Sequence, residues 1–315
     1  WYSIEYQIID CKGSFNFRFL FRLIRLIRKE RISHIQAHLL GSNVYASLAG
    51  LVSGVPVTCT FHGHVDISNT ERFKKLKFYF IGKASEHIVA VTEELSFKIR
   101  HENSILKGKE VSVIPNGIDT SDLKKIQIRK LPNGQDETII FGCLGNIREA
   151  KNYFLAVDFI KALTDNNVNA KLIIAGDDTK LLAKILKSYI NTAGMNSNID
   201  FPGFIHNIKM FFEEIDIFLM TSSSEGHPLS ITQAMSSGKP ILTTPSGVEK
   251  ILSGLKSAFI SQDHDPEFLM QKFITLRDLP PEMLCHVLDV TRHVVNKKYS
   301  LESMTSAYII GYREK

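Results

Sequence analysis

Apolar and polar positions alternate along this chain in blocks. Short apolar runs bounded by Gly, Pro or Asn recur between longer stretches whose apolar residues fall at helical spacing. The runs at 4–9, 32–37, 57–61, 87–91 and 111–114 predict strands in the first third of the chain. Those at 139–144, 170–175, 199–203, 215–220 and 241–242 predict strands beyond it. Helical spacing marks 15–31, 43–52, 71–83, a helix capped by Thr92-Glu93-Glu94, 153–163, a helix opening at Pro228, and 265–279, 281–296 and 301–312. Strand–helix alternation twice over predicts an α/β protein of two doubly wound halves, with ligands at the carboxyl ends of the strands. The Asn116-Gly117 pair reads as a turn at the joint between them.

The most informative stretch is 222–241. Its pattern is strand, polar loop, helix, Gly stop, strand, with Pro228 where a first helical turn tolerates it and Ile231, Ala234 and Met235 at helical spacing. Free amides at such a helix start, near His227 to Ser230, attract an anion. Glu225 stands at the mouth of that loop, so the pattern fits a ligand carrying both hydroxyls and phosphates, such as a nucleotide-sugar. It fits an ordinary strand-to-helix turn as well. Gly145 after a strand, with Arg148 and Lys151 before a helix, has the chemistry to hold a diphosphate, although cations at a helix start are common. His34 and His38 form a bare HxxxH, weak as a metal pair. His62 ends a strand and precedes Gly63, where an open sheet places ligand contacts.

Composition narrows the class. At 315 residues, with 44% hydrophobic and 23% charged residues, the chain is globular and long enough for two domains. No apolar run is long enough to span a bilayer, and no signal peptide is visible. The four cysteines are scattered without a CxxC, the usage of a reduced, cytoplasmic compartment. The net charge of +5 is uneven: residues 1–118 hold 16 Lys and Arg against 10 Asp and Glu. Basic and aromatic residues mingle at 15–31 and 71–83, which fits an anionic membrane surface or plain packing with the cations in water. Nucleic acid ranks below both, since no RNA-binding motif accompanies them. A dinucleotide-linked oxidoreductase lacks its G-x-G-x-x-G.

The 222–241 stretch resembles the donor-site signature of the retaining GT-B glycosyltransferases of the family 4, group 1 type. Glu225, Gly226, Pro228, Leu229, Ala234, Met235, Gly238 and Pro240 match it. Its second acid is replaced by Gln233, which accepts a ribose hydrogen bond without charge. Pro115-Asn116-Gly117-Ile118-Asp119 resembles the family's hinge, His62-Gly63 its strand-end His-Gly, and Thr244 to Glu249 its Gly-Gly-x-x-Glu turn with Ser246 in place of the first Gly.

The resemblance implies two Rossmann-like domains facing each other across a cleft. They would span 1–118, on the acceptor side, and 119–296, which binds the donor, with a helix at 297–315 crossing back to the first. It implies that the family's first strand and loop are missing, as in an N-terminally truncated chain. It implies transfer of a sugar from a nucleoside-diphosphate sugar, with retention and no cofactor or metal, to a glycan or lipid-linked acceptor in polysaccharide biosynthesis. Glu225, His62, Lys151 and Arg148 would take catalytic roles. Gly145, Asn146, Phe204, Ile205, Gly226, His227, Pro228, Leu229 and Gln233 would bind the donor. A cytoplasmic enzyme peripheral at the inner face of the plasma membrane is expected. The alternative is a nucleotide-sugar-binding or regulatory protein without turnover, for which Gln233 speaks.

Overall fold

Val57–Phe61 is buried on both faces, as a strand inside a parallel sheet must be. Around it the first unit is built. A computed structural model of the chain describes residues 5–11, 15–67, 72–101, 105–106, 109–132, 134, 137–177, 179 and 181–313. The elements of the first unit are α1 (Phe17–Lys29), β1 (Ile35–His38), α2 (Leu40–Ser53), β2 (Val57–Phe61), α3 (Lys74–Ala84), β3 (Ser85–Ala90), α4 (Glu93–His101) and β4 (Val111–Val113). The four strands lie parallel in the order β1-β2-β3-β4. Asn16 caps α1, its side chain accepting from the Phe19 amide at 3.0 Å. Thr92 caps α4 in the same way. Phe61, Phe78, Ile81, Leu95 and Ile99 lie in one buried cluster around the sheet.

The strand expected at 4–9 is not formed among the described residues. Residues 5–11 have no regular structure and are mostly exposed, and Ile4 lies outside the description. A strand needs a neighbour to receive its backbone hydrogen bonds. Residues 5–11 make no such pairing: β1, the nearest sheet edge in sequence, pairs with β2 and not with them. Glu71, expected to open a helix, also lies outside the description.

The second unit contains β5 (Ile139–Leu144), α5 (Tyr153–Asp165), β6 (Ala170–Ala175), α6 (Leu181–Thr192), β7 (Ile199–Gly203), α7 (Ile208–Glu214) and β8 (Ile217–Met220). There follow α8 (Leu229–Ser236), β9 (Ile241–Thr243), α9 (Glu249–Leu252), β10 (Ala258–Ile260), α10 (Pro266–Arg277), α11 (Pro281–Lys298) and α12 (Leu301–Arg313). Its six parallel strands run β10-β9-β8-β5-β6-β7. The chain therefore starts in mid-sheet, moves outward through β6 and β7, and returns to build the other half from β8. That is the doubly wound order, with its reversal between β5 and β8. Separate apolar clusters cover the two faces of this sheet.

Helix α6 was not anticipated. Ala183, Leu186 and Ile190 are buried, but Leu181, Ile185 and Tyr189 are apolar and exposed on the other side, which blurs the stripe. Strand β10 is only three residues at the sheet edge.

The chain divides into compact units at 1–115 and 116–315, so the break falls just before the Asn-Gly pair, and α12 falls in the second unit. Gly117 makes no left-handed turn. It is small because a Cβ there would meet Ser300 O at 2.6 Å and Met304 Cβ at 2.8 Å. Ile118 pairs with Ser300 in a parallel bridge, and its amide and carbonyl bond Tyr299 and Leu301. Backbone pairing ties 116–118 to the start of α12, and so to the second unit. Among the described residues no helix is long and apolar enough to cross a membrane.

Candidate functional site

At the reversal of strand order, the loops after β5 and β8 have to meet, and they bring Lys151 to Glu225. Lys151 Nζ donates to Glu225 Oε1 at 2.6 Å, with side-chain exposures of 19% and 15%. Ser222 Oγ donates to the same oxygen at 2.7 Å. The Glu225 amide donates to Ser246 O at 2.7 Å, fixing the loop from the β9 side. Thr244 Oγ1 and His264 Nε2 both donate to Ser222 O, at 2.7 and 3.1 Å. Lys151 is held through its backbone: Thr221 Oγ1 donates to the carbonyls of Lys151 and Asn152, and the Ser223 amide to Ala150 O. Each charge is thus set on a loop that the neighbouring strand's loop hydrogen-bonds.

Gly145 is placed by the Tyr153 hydroxyl, which donates to its carbonyl at 2.8 Å, and by its own amide, which donates to Ala175 O. Burial holds the Tyr153 phenol well above its usual range, so it remains a donor. Gly176 packs so closely on this turn that a Cβ would lie 2.1 Å from Gly145 O. The loops after β5 and β6 therefore form one surface.

These residues line a cavity of about 470 Å3 at the carboxyl ends of the strands. Gly145, Asn146, Lys151, Phe204, Ile205, Glu225, Pro228, Leu229 and Gln233 face it, all anticipated from the sequence. Gln233, on the second turn of α8, makes no side-chain hydrogen bond among the described residues and is partly exposed. Phe204 is 66% exposed, edge-on to His206 at 5.0 Å. The first amides of α8 have no intrahelical partner. The cavity thus offers one cation and a helix start to an anion, a carboxylate and an amide to hydroxyls, and apolar walls from Phe204, Ile205 and Leu229.

Four anticipated residues are not gathered there. The side chain of His227 is turned away from the cavity and 6% exposed. The Asn116 amide donates to His227 Nδ1 at 3.1 Å, Asn116 Nδ2 donates to His227 O, and Tyr299 lies 5.1 Å from the ring. A backbone amide only donates, so Nδ1 accepts and the neutral ring carries its proton on Nε2, toward Thr232. Burial, and then Lys298, lowers its pKa to about 4. The His227 side chain fastens Asn116 and does not line the cavity. Gly226 adjoins the cavity without lining it. Arg148 is exposed outside the lining, where the turn at Glu149–Lys151 leaves it in water and points Lys151 inward.

His62 belongs to the first unit. There its Nε2 lies 2.9 Å from His38 Nδ1, while His34 Nε2 lies 2.9 Å from Thr58 Oγ1, so the HxxxH pair is not brought together. Burial, followed by His62, lowers the His38 pKa. Asp66 was missed by the sequence reading: it is buried, and its carboxylate accepts from the His62 amide at 2.8 Å and the Leu40 amide at 3.1 Å. It fastens the loops that carry the two histidines. Thr221 was also missed, because its hydroxyl's partners, the carbonyls of Lys151 and Asn152, lie on another strand's loop and leave no spacing signal.

The pattern described as Glycosyl transferases group 1 matches residues 124–284, and that described as Glycosyltransferase Family 4 matches residues 4–122. The chain belongs to the glycosyl transferases of group 1. It is 23% identical over 276 residues, 82% of this chain and 70% of the relative, to the UDP-Gal:alpha-D-GlcNAc-diphosphoundecaprenol alpha-1,3-galactosyltransferase of Escherichia coli. It is 24% identical to the capsular polysaccharide biosynthesis glycosyltransferase CapH of Staphylococcus aureus, over 74% of this chain and 64% of the relative. Among solved structures, Anabaena HepE in complex with UDP and glucose superposes with a TM-score of 0.80 at 14% identity, over 95% of this chain and 82% of that one. A glycosyltransferase from Rickettsia africae superposes with a TM-score of 0.81 at 17% identity, over 98% and 84%. The fold is GT-B.

Proposed function

We propose that this glycosyltransferase-family chain moves a sugar from a nucleoside-diphosphate sugar to a lipid-linked or cell-surface glycan precursor, with retention of configuration. One observation carries the reading: Lys151 and Glu225 meet at 2.6 Å inside a cavity whose remaining wall includes Gln233 and Phe204. In this reading Glu225 accepts from hydroxyls of the donor sugar and Gln233 from the ribose. Phe204 and Ile205 flank the base. Lys151 and the first amides of α8 meet the charge that builds on the leaving diphosphate, as preorganised electrostatic stabilisation. That charge is met without a metal, so a chelator leaves turnover unchanged. The donor phosphate takes the acceptor proton during front-face attack, so no side chain is needed as a nucleophile. The relatives support the substrate classes: the Escherichia coli relative is named for a UDP-linked donor and a diphosphoundecaprenol acceptor, and the Anabaena neighbour binds UDP and glucose.

The second reading, a nucleotide-sugar-binding protein without turnover, is favoured by the neutral Gln233 at the ribose position. A panel of nucleotide-sugars tests both. A ligand at 100 times its dissociation constant adds about 2.7 kcal/mol to stability. A melting shift together with release of the nucleoside diphosphate in the presence of acceptor supports transfer. A shift without release supports the binder, and no shift with any nucleotide-sugar overturns both.

A further inference from the structure

The loop between β10 and α10 lines no part of the cavity, yet it reaches the residue on which the Glu225 side chain depends. Its backbone is fixed at both ends. Ser261 Oγ donates to Asp263 O at 2.8 Å, and Asp265 caps α10 by accepting from the Glu267 amide at 2.8 Å. Between them the His264 amide donates to Asp263 Oδ1 at 2.7 Å. From this edge of the sheet the His264 ring reaches the loop after β8, two strands away, where Nε2 lies 3.1 Å from Ser222 O. A carbonyl only accepts, so Nε2 carries the proton. One neutral tautomer and the imidazolium both place a proton there, so the bond is kept in either charge state of the ring. Ser222 is fully buried. Among the described residues its carbonyl has one other donor, Thr244 Oγ1 at 2.7 Å, and that hydroxyl's single proton also has Met220 O within 3.4 Å. The Ser222 hydroxyl donates to Glu225 Oε1 at 2.7 Å, the same oxygen that Lys151 Nζ reaches at 2.6 Å. The orientation of the carboxylate therefore passes through Ser222 to His264.

We propose that His264 is a positioning residue for sugar transfer: by holding the Ser222 carbonyl it sets the Glu225 carboxylate where the donor sugar needs it. The proposal rests on the reading of the cavity as the donor site. His264 and Ser222 do not line that cavity, so the ring acts through the carboxylate and touches no substrate. The ring is 28% exposed and belongs to none of the buried apolar clusters, so removing it leaves the cores intact. The residues read as meeting the base and ribose, Phe204, Ile205 and Gln233, lie on other elements. Loss of the ring therefore misplaces the sugar end of the site and spares the nucleotide end.

The test compares the full chain with His264→Ala and His264→Gln, whose side-chain amide can donate to the same carbonyl. The probes are the nucleotide-sugar that gives the largest melting shift and its nucleoside diphosphate. Calorimetry gives the affinity for each, steady-state kinetics gives transfer, and melting curves verify that the variants are folded. In His264→Ala the affinity gained from the sugar and the rate of transfer should both fall by about tenfold or more, since a misplacement of about 1 Å can cost a hundredfold. Affinity for the nucleoside diphosphate should stay within about threefold, a split that a loosened fold would not produce. His264→Gln should restore both losses. In a Glu225→Gln background, His264→Ala should add little, because the two changes act on one carboxylate. Unchanged sugar affinity and transfer in His264→Ala overturn the proposal. So do a His264→Gln variant as impaired as His264→Ala, equal loss of nucleoside diphosphate and nucleotide-sugar binding, or losses that multiply in the double variant. If the unaltered chain binds no nucleotide-sugar, the donor-site reading itself falls, and this proposal with it.

Discussion

Lys151 and Glu225 are less than one-fifth exposed. Two charges in such a place lose hydration that their attraction only partly restores, so the pair is retained for arrangement more than for stability. Glu225 Oε1 accepts from both Lys151 and Ser222. A Gln at 225 still offers an oxygen to both donors, so Glu225→Gln should leave the melting temperature within a few degrees. It removes the charge that orients Lys151 and, in the proposed function, binds sugar hydroxyls, and transfer should fall by at least about tenfold, or 1.4 kcal/mol of barrier. Steady-state kinetics beside a melting curve decides this, and unchanged turnover would remove Glu225 from the donor site. Gln233 already faces the cavity, so Gln233→Glu puts a charged acceptor where a neutral one stands. Nucleotide binding measured by calorimetry should tighten by about 0.5–1.5 kcal/mol.

Helix α8 shows how one element serves both the site and the frame. Its N-terminal residues Pro228, Leu229 and Ser230 line the cavity, while His227, just before it, is fastened to Asn116 and Tyr299. That fastening titrates. The folded-state pKa of His227, about 4, lies below the ordinary 6.5, so the neutral ring is the form the fold holds. The stabilisation is fully present above pH 6.5, where the unfolded chain is also neutral, and is lost as pH falls toward 4. The whole effect is about 3 kcal/mol at 1.36 kcal/mol per pKa unit. Denaturant titrations across this window should show a steeper loss of stability for the protein than for His227→Gln. Parallel slopes would mean that the ring is hydrated in solution.

At the scale of the whole molecule, the two units have separate cores, and the residues gathered in the proposed donor cavity lie in the second. UDP binding should therefore slow amide exchange in the loops after β5, β6, β7 and β8, at 145–152, 176–177, 204–207 and 223–230. Protection spread evenly over the chain would argue against the cavity as the nucleotide site. The sequence by itself determined the strand–helix alternation, because burial between helices demands short continuous apolar runs such as 57–61 and 170–175. It also determined the Glu225 to Pro240 signature and most of the lining around it, because these residues lie at strand ends and a helix start, where local spacing speaks. It placed a strand at 4–9 that does not form among the described residues, and read Gly117 as a turn where the requirement is room for Ser300 and Met304. It counted His227 as a donor contact and Arg148 as a catalytic cation because adjacency along the chain says nothing of the direction a side chain takes. The order β10-β9-β8-β5-β6-β7 was settled only by the tertiary structure. Strand order arises from hydrogen bonds between residues far apart in sequence, and it is the reversal between β5 and β8 that brings Lys151 and Glu225, 74 residues apart, to a single hydrogen bond.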